Sequence, residues 1–411
     1  MTAATRSSLR GEPTFVRWAT AEAISMFGTA VTTVVLPLVV YEATGSAAQT
    51  GLLFALRVVP YLLFGLVAGP IADRGNRRFL IVGGNLVEGA LVATIPIAHA
   101  LGVLTVAQVY VVALLSATAF VFSDAAVFGA VPALVGPERV AAANGLLASL
   151  GSAAELGGPV LAGVLVATIG PASAVAVDSL SFFVAAAIQA RIRSTFRDPS
   201  AEVPPRGRLR AGVGDAMRFI RNDPTMATLL GAGFGNSFAF GVVLGLLVPY
   251  AVEELGLASD DGLIGVLYAA VAVGGFVCGV LFSRLFRRNR ISILTPLTIA
   301  MSGFVAVALA TVSAWLVATV LLGVFAFSIT LTIVTGITYR QLVAPDHLRS
   351  SVNVIGRMIG WGGQPFGAAT GALITATAGV PVAFVVAGVI MLGVSVVSRL
   401  LLRRPAPELA G

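Results

Sequence analysis

Gly69-Pro70-Ile71-Ala72-Asp73-Arg74-Gly75-Asn76-Arg77-Arg78 is a polar turn between two long apolar runs, and it recurs. Gly279-Val280-Leu281-Phe282-Ser283-Arg284-Leu285-Phe286-Arg287-Arg288, 210 positions later, keeps the glycine, the first arginine and the arginine pair. A second turn repeats at nearly the same interval. Leu134-Val135-Gly136-Pro137-Glu138-Arg139, followed by Asn144, returns as Leu342-Val343-Ala344-Pro345-Asp346-His347, followed by Asn353. Two matches at almost one offset divide the chain into similar halves.

The material between these turns is apolar. The chain has 411 residues, 57% hydrophobic and 11% charged, with mean hydropathy +0.96. A soluble domain carries about 25% charged residues, so this composition excludes disorder and argues against a large soluble fold. Crossing hydrocarbon as a helix takes about 20 apolar residues. Twelve spans satisfy that, at 18–40, 47–71, 79–98, 104–128, 141–166, 171–190, 226–250, 260–283, 291–309, 314–337, 350–375 and 378–398.

The arginines orient these spans. There are no lysines, so the 26 basic residues are all arginine, and only Arg57 and Arg357 fall within spans. The other arginines all fall on one face, while Glu42, His99, Glu253, Glu254, Asp260 and Asp261 fall on the other. The positive-inside rule then places both termini in the cytoplasm of a bacterial inner-membrane protein. Anionic inner-leaflet lipid reinforces that placement. The first span is expected to serve as its own signal, since no apolar core precedes it. The net charge of +7 follows from the same bias, and no folded basic domain for nucleic acid is present. A lone Cys278, with His99 and His347 expected on opposite faces, supports neither a disulfide nor a metal site.

The expected organisation is an all-α membrane protein of twelve helices in two six-helix bundles related by pseudo-two-fold symmetry. Residues 1–17 form a cytoplasmic N-terminus, 18–190 the first bundle, 191–225 a cytoplasmic linker, 226–398 the second bundle and 399–411 a tail. Within the linker, Leu209, Val213, Ala216, Met217 and Ile220 recur at helical spacing, which predicts a short amphipathic helix on the cytoplasmic surface.

An ionisable residue within a span is costly and therefore a functional hypothesis. The set is Glu22, Glu88, Asp124, Glu155 and Asp178, with Arg57 and Arg357 as charge partners. A carboxyl group in hydrocarbon can shed its charge by taking up a proton, so these five are candidates for proton coupling. Glu155 lies one turn before Gly158-Pro159 and is slightly favoured; Arg57 is expected closer in depth to Asp178 than to Asp124. Structural hydrogen bonding or ion pairing is the competing role for each.

Other residues suggest moving parts. Asp73 with Arg74, Arg77 and Arg78 could latch one state, the acid on helix-end N–H groups and the arginines on acidic groups or lipid phosphates. Gly158, Pro159 and Gly163 open span 5 to close packing, and Gly360-Trp361-Gly362-Gly363-Gln364-Pro365-Phe366-Gly367 does the same for span 11. These two spans are expected to face each other across the half-interface. Phe234, Asn236, Phe240, Phe327, Trp361 and Gln364 are candidates for an aromatic, weakly polar substrate cavity suited to amphiphilic molecules.

These motifs together resemble the major facilitator superfamily over essentially the whole chain. Gly69-x-x-x-Asp73-Arg74-x-x-Arg77-Arg78 is similar to its signature loop between helices 2 and 3. Gly158-Pro159-x-x-Ala162-Gly163 resembles the helix-5 motif of its proton-coupled exporters, with Ala162 where the family has the first of a glycine pair. The helix-4 arginine motif of many drug antiporters is not visible; span 4 carries Asp124. With Leu36-Pro37-Leu38 and the turn at 41–46, the pattern looks most like the bacterial branch of macrolide, siderophore and multidrug exporters. The resemblance implies alternating access and proton-driven export of small amphiphilic or lipophilic compounds. It implies no cofactor beyond the proton gradient and no enzymatic activity. Substrate, surrounding lipid and no nucleic acid are the expected partners, and a monomer suffices to enclose a pathway. A nutrient importer or facilitator shares the architecture, and a non-transporting receptor or scaffold or a lipid flippase are the further alternatives.

Overall fold

The computed structural model describes residues 12–136, 139–192, 196, 208–285 and 291–402, and all regular structure among them is helical. The helices are α1 (Pro13–Thr44), α2 (Ala47–Arg74), α3 (Arg77–Ala100), α4 (Val106–Val135), α5 (Val140–Ile169) and α6 (Pro171–Ala190). Next come α7 (Arg208–Asn222), α8 (Pro224–Gly245), α9 (Leu247–Glu253), α10 (Leu263–Leu285), α11 (Ile291–Leu309), α12 (Trp315–Val343) and α13 (Asp346–Leu401).

At 56 residues α13 is too long for one crossing, and it breaks at Gly379, where φ is 82° and ψ 169°. Gly170, between α5 and α6, has φ 79° and ψ 159°. Only glycine enters this region of backbone space cheaply. The two glycines stand 209 positions apart, so the repeat extends from the sequence to a matched backbone turn. Dividing α13 there yields twelve spans among the described residues: α1–α6, α8, α10, α11, α12 and the two segments of α13. The spans are apolar on every side, as helices that meet both protein and lipid must be.

Two compact units result. The first comprises Met1–Thr44, Leu56–Val203 and Ser259–Ala269; the second comprises Gly45–Ala55, Pro204–Ala258 and Ala270–Gly411. The division thus departs from a single cut at the linker, because the start of α2 belongs with the second unit and the start of α10 with the first.

In the first unit α6 packs between α1 and α3. Gly28 of α1 leaves room for Ser181 and Asp178, and Gly89 of α3 lies against Phe182 and Phe183. The Ser179 hydroxyl donates to the Gly89 carbonyl at 2.9 Å. In the second unit α8 and the first segment of α13 meet backbone to backbone. Gly241 lies against the Gln364 carbonyl, Gly363 against that of Phe234 and Gly367 against that of Phe238. Close approach of this kind replaces the hydrophobic drive that helices lack in lipid.

At the ends that carry the arginines, the side chains satisfy carbonyls without a helical partner, at the last turn of α4 and opposite Pro296 in α11. Arg139 donates to the Val135 carbonyl at 2.9 Å and pairs with Glu12 at 2.7 Å. Arg399 donates to the Ser292 carbonyl at 2.8 Å.

The linker carries the helix α7. Its Ala216 and Ile220 are buried in a cluster with Met226, Leu230, Ile291 and Tyr339 of the second unit. Those two residues thus pack on protein, while Asp215, Met217 and Arg218 stay exposed. Leu209 and Val213 lie outside the side chains described.

Candidate functional site

Four of the five candidate carboxylates converge. Glu22 of α1, Glu88 of α3, Asp124 of α4 and Glu155 of α5 line one cavity of about 380 Å³ within the first unit. The rest of its wall mixes apolar groups, among them Met26, Phe120 and Phe182, with Ser25, Thr29, Thr33, Asn85 and Ser123. No arginine or histidine lines it among the described residues. The helical spacing of small residues on α1 and α5 opens this space: Gly151, Ala154 and Ala30 contribute to the wall.

The acids are not equivalent. Glu22 accepts a 2.8 Å bond from the Gln189 amide, and Gln189 accepts one of 2.9 Å from Asn85. Asn85 also donates to the Ile81 carbonyl at 3.1 Å, so both donors of its amide are committed. That commitment fixes the direction of the chain: Gln189 must turn its oxygen to Asn85 and its NH2 to Glu22. Asp124 accepts a 2.6 Å bond from the Tyr61 hydroxyl. Glu88 is 5% exposed and Glu155 is exposed at the cavity, and among the described residues neither carboxylate receives a hydrogen bond.

Asp178 stands apart from the cavity wall. It is 1% exposed, lies against Gly28 and takes a 3.4 Å contact from the Ser181 hydroxyl. Arg57 donates to Thr33 at 3.2 Å, and Thr33 in turn lines the cavity. Arg57 and Asp178 act on each other electrostatically, but among the described residues no ion pair within 4.0 Å joins them. In the second unit Arg357 is exposed and stacks 5.8 Å above the Trp361 ring, one helical turn on. A cation over an indole face is an ordinary helix-surface pairing.

Two arginines of the expected latch reach backbone carbonyls. Arg77 donates to the Phe196 carbonyl at 3.4 Å, and Arg78 donates to the Ala190 carbonyl at the end of α6. The Ala190 carbonyl lies at the negative end of the α6 dipole, which complements the Arg78 charge. The side chains of Asp73 and Arg74 lie outside those described. A Cβ on Gly69 would meet no atom within 4 Å, so packing does not demand the glycine here.

The small-residue stretches make close helix contacts. Gly158 lies against Ala30 of α1, and Gly163 against Gly262, with Gly265 of α10 on the Pro159 carbonyl. The glycines of span 11 instead face α8, as described above. Gly163 and Pro159 of span 5 thus meet the start of α10 from the second half of the sequence.

Of the second-half residues, Phe234 pairs with Phe366 at 6.1 Å between ring centroids. Asn236 is fully buried and donates to the Ile329 carbonyl at 3.0 Å, binding α8 to α12. Phe240, Phe327 and Gln364 are half-buried and Trp361 is exposed. None of these lines the acidic cavity.

A model of the Major Facilitator Superfamily matches residues 18–362. The chain belongs to the Major Facilitator Superfamily. Over 233 residues it is 30% identical to the multidrug efflux pump Tap of Mycobacterium tuberculosis (strain ATCC 25618 / H37Rv), a stretch covering 54% of each protein. The matched stretch thus spans about half the length of that relative. Macrolide efflux protein A of Streptococcus pyogenes is 26% identical over 176 residues, 43% of each chain. The Tap pump of Mycolicibacterium fortuitum is 24% identical over 397 residues, 93% of this chain and 94% of that one. Among solved structures, a bacterial homologue of the human lysosomal transporter Spinster superposes with a TM-score of 0.74 at 15% identity, covering 99% of this chain and all of that one. The nucleoside transporter NupG gives 0.75 at 11% identity, with 95% and 99% covered. Identities this low establish the fold alone.

As a major facilitator protein the chain is a multi-pass membrane transporter and not an enzyme. Several functional-site residues of this superfamily member escape a reading by charge alone. Gln189 is fully buried and neutral, and Tyr61 reads as an aromatic wall. Arg340 reads as a surface arginine but is 8% exposed, because Gly356 leaves room for its guanidinium, with Nε 2.6 Å from where a Cβ would stand.

Proposed function

We propose that this protein exports small amphiphilic or lipophilic compounds in exchange for protons, by alternating access. The observation that carries the reading is the convergence of Glu22, Glu88, Asp124 and Glu155 on one cavity with apolar walls. A buried carboxylate can be neutralised by a proton or by a ligand, and an antiporter needs both to act on one state of the protein. Glu88 is the strongest proton carrier in this reading, since it is buried, lines the cavity and receives no hydrogen bond among the described residues. Glu22 and Asp124 already have donors and would hold the geometry. Similarity to the Tap pumps and to macrolide efflux protein A supports export rather than import. The arginine bias supports cytoplasmic termini, and one chain would act as a monomer.

The test is flux in oriented proteoliposomes with an imposed pH gradient, across a panel of neutral and charged amphiphiles. Outward substrate movement against inward proton movement is expected. Substrate flux indifferent to the gradient, or driven inward with it, would remove the reading.

A further inference from the structure

We propose that Arg340 forms a phosphate-binding site at the cytoplasmic end of the second unit, filled by the headgroup of an inner-leaflet lipid or by a soluble phosphate ester. The inference is independent of the proton-export reading. Arg340 stands in the last turn of α12, where a long basic side chain normally extends to water. Its guanidinium instead turns back along the helix, and the residue is 8% exposed. Two glycines clear the room. A Cβ on Gly336, one turn earlier in α12, would stand 3.8 Å from Nη1, and one on Gly356 of α13 would stand 2.6 Å from Nε and 2.7 Å from Cζ. Any side chain at Gly356 would displace the guanidinium. Yet nothing in the protein engages it: among the described residues the Arg340 side chain has no hydrogen-bond or ion-pair partner, and its Nε is buried. Asp223, an acid at this end of the unit, is already taken by the Tyr339 hydroxyl at 3.1 Å and the Met226 N–H at 3.0 Å. A buried cation without a partner is costly, and an entering anion removes that cost. With Nε enclosed, the two terminal NH2 groups remain, and they form a fork that meets two oxygens of one phosphate. The surroundings suit a headgroup. Gln341 and Leu342 are exposed, as are Val354 and Arg357 on α13, and Arg357 stacks on Trp361. Apolar, cationic and indole surface together is the composition of a membrane interface on the arginine-rich side.

The test is binding to the purified full-length protein in uncharged detergent, with phosphatidylglycerol and, separately, glycerol 3-phosphate as the probes. Native mass spectrometry counts bound lipid, and melting curves read stabilisation by either compound. The wild type is expected to bind at least one of the two about tenfold or more tighter than Arg340→Met does. Without either compound, Arg340→Met is expected to melt no lower than the wild type, since an unpartnered charge has no contact to lose. Arg340→Lys keeps the charge without the fork and is expected to retain part of the binding. Gly356→Ala displaces the guanidinium and is expected to weaken binding with the charge still present. Arg218→Gln removes an exposed arginine of α7 and should change nothing. Binding of the lipid without a response to glycerol 3-phosphate supports the site and assigns it to a headgroup; a response to the soluble ester alone supports it and assigns it to a cytoplasmic phosphate compound. A wild type that binds neither overturns the inference whether or not any variant folds. So does equal binding by the wild type and Arg340→Met, or a loss in Arg218→Gln as large as that in Arg340→Met.

Discussion

Gln189 holds Glu22 from across 167 positions of sequence, through a 2.8 Å bond whose direction is set by Asn85. Deleting the middle of such a chain removes the donor to Glu22 and one of the two acceptors of Asn85. Gln189→Leu is therefore expected to destabilise the protein by about 1–3 kcal/mol, read as a lower melting temperature in detergent. Glu22→Leu in the Gln189→Leu background should cost less than the two single changes added together, because the bond can be lost only once. Strict additivity in that cycle would show that the amide does not support the acid.

Tyr61 and Asp124 form a second, shorter support, at 2.6 Å. Tyr61→Phe keeps the ring and its tilted contact with Phe120 but removes the donor. Export is expected to slow, and stability to fall by about 0.5–3 kcal/mol. Normal export and an unchanged melting temperature would assign the bond no role.

Backbone contact between α8 and the first segment of α13 leaves no room for side chains at Gly367 or Gly241. Gly367→Ala places a methyl group against the Phe238 carbonyl, and the helices must separate. A loss of about 1–3 kcal/mol is expected. Gly69→Ala is the contrast, since its Cβ would meet open space. An equal loss at both positions would contradict the packing account.

Much of the fold was legible because lipid imposes simple rules. Runs of about 20 apolar residues, arginine-rich turns and one internal repeat locate the spans. The break at Gly379 could be anticipated from Gly170 once the two halves were aligned. The spans themselves are less well bounded: α1 begins at Pro13 and ends at Thr44, beyond the apolar run at 18–40. The candidate acids were legible as charges in hydrocarbon, but not their grouping. Four of them share a wall because α1, α3, α4 and α5 turn particular faces together, and helices apolar on every side do not reveal those faces. Gln189 was invisible for a different reason: a neutral amide inside a span carries no signal until its partner is known. The carbonyls that Arg77 and Arg78 reach were not legible, because backbone carbonyls have no signature of their own in the sequence.

Arg78 and Arg77 reach the Ala190 and Phe196 carbonyls and join the start of α3 to the end of α6. Arg78→Gln retains a donor but not the charge that complements the helix terminus. A modest stability loss, about 0.3–1 kcal/mol, is expected, and it should shrink at high salt. A loss that salt does not touch would point to packing instead.

The central claim is that acids of the first-unit cavity exchange a proton for substrate, and proton movement reports it most directly. Proteoliposomes enclosing a pH-sensitive dye would be given an amphiphile that the wild type transports, with no pH gradient at the start. The wild type is expected to move protons against the substrate, and folded Glu88→Gln protein to show no coupled proton signal. Undiminished proton movement in Glu88→Gln, Glu22→Gln, Asp124→Asn and Glu155→Gln alike would contradict the account.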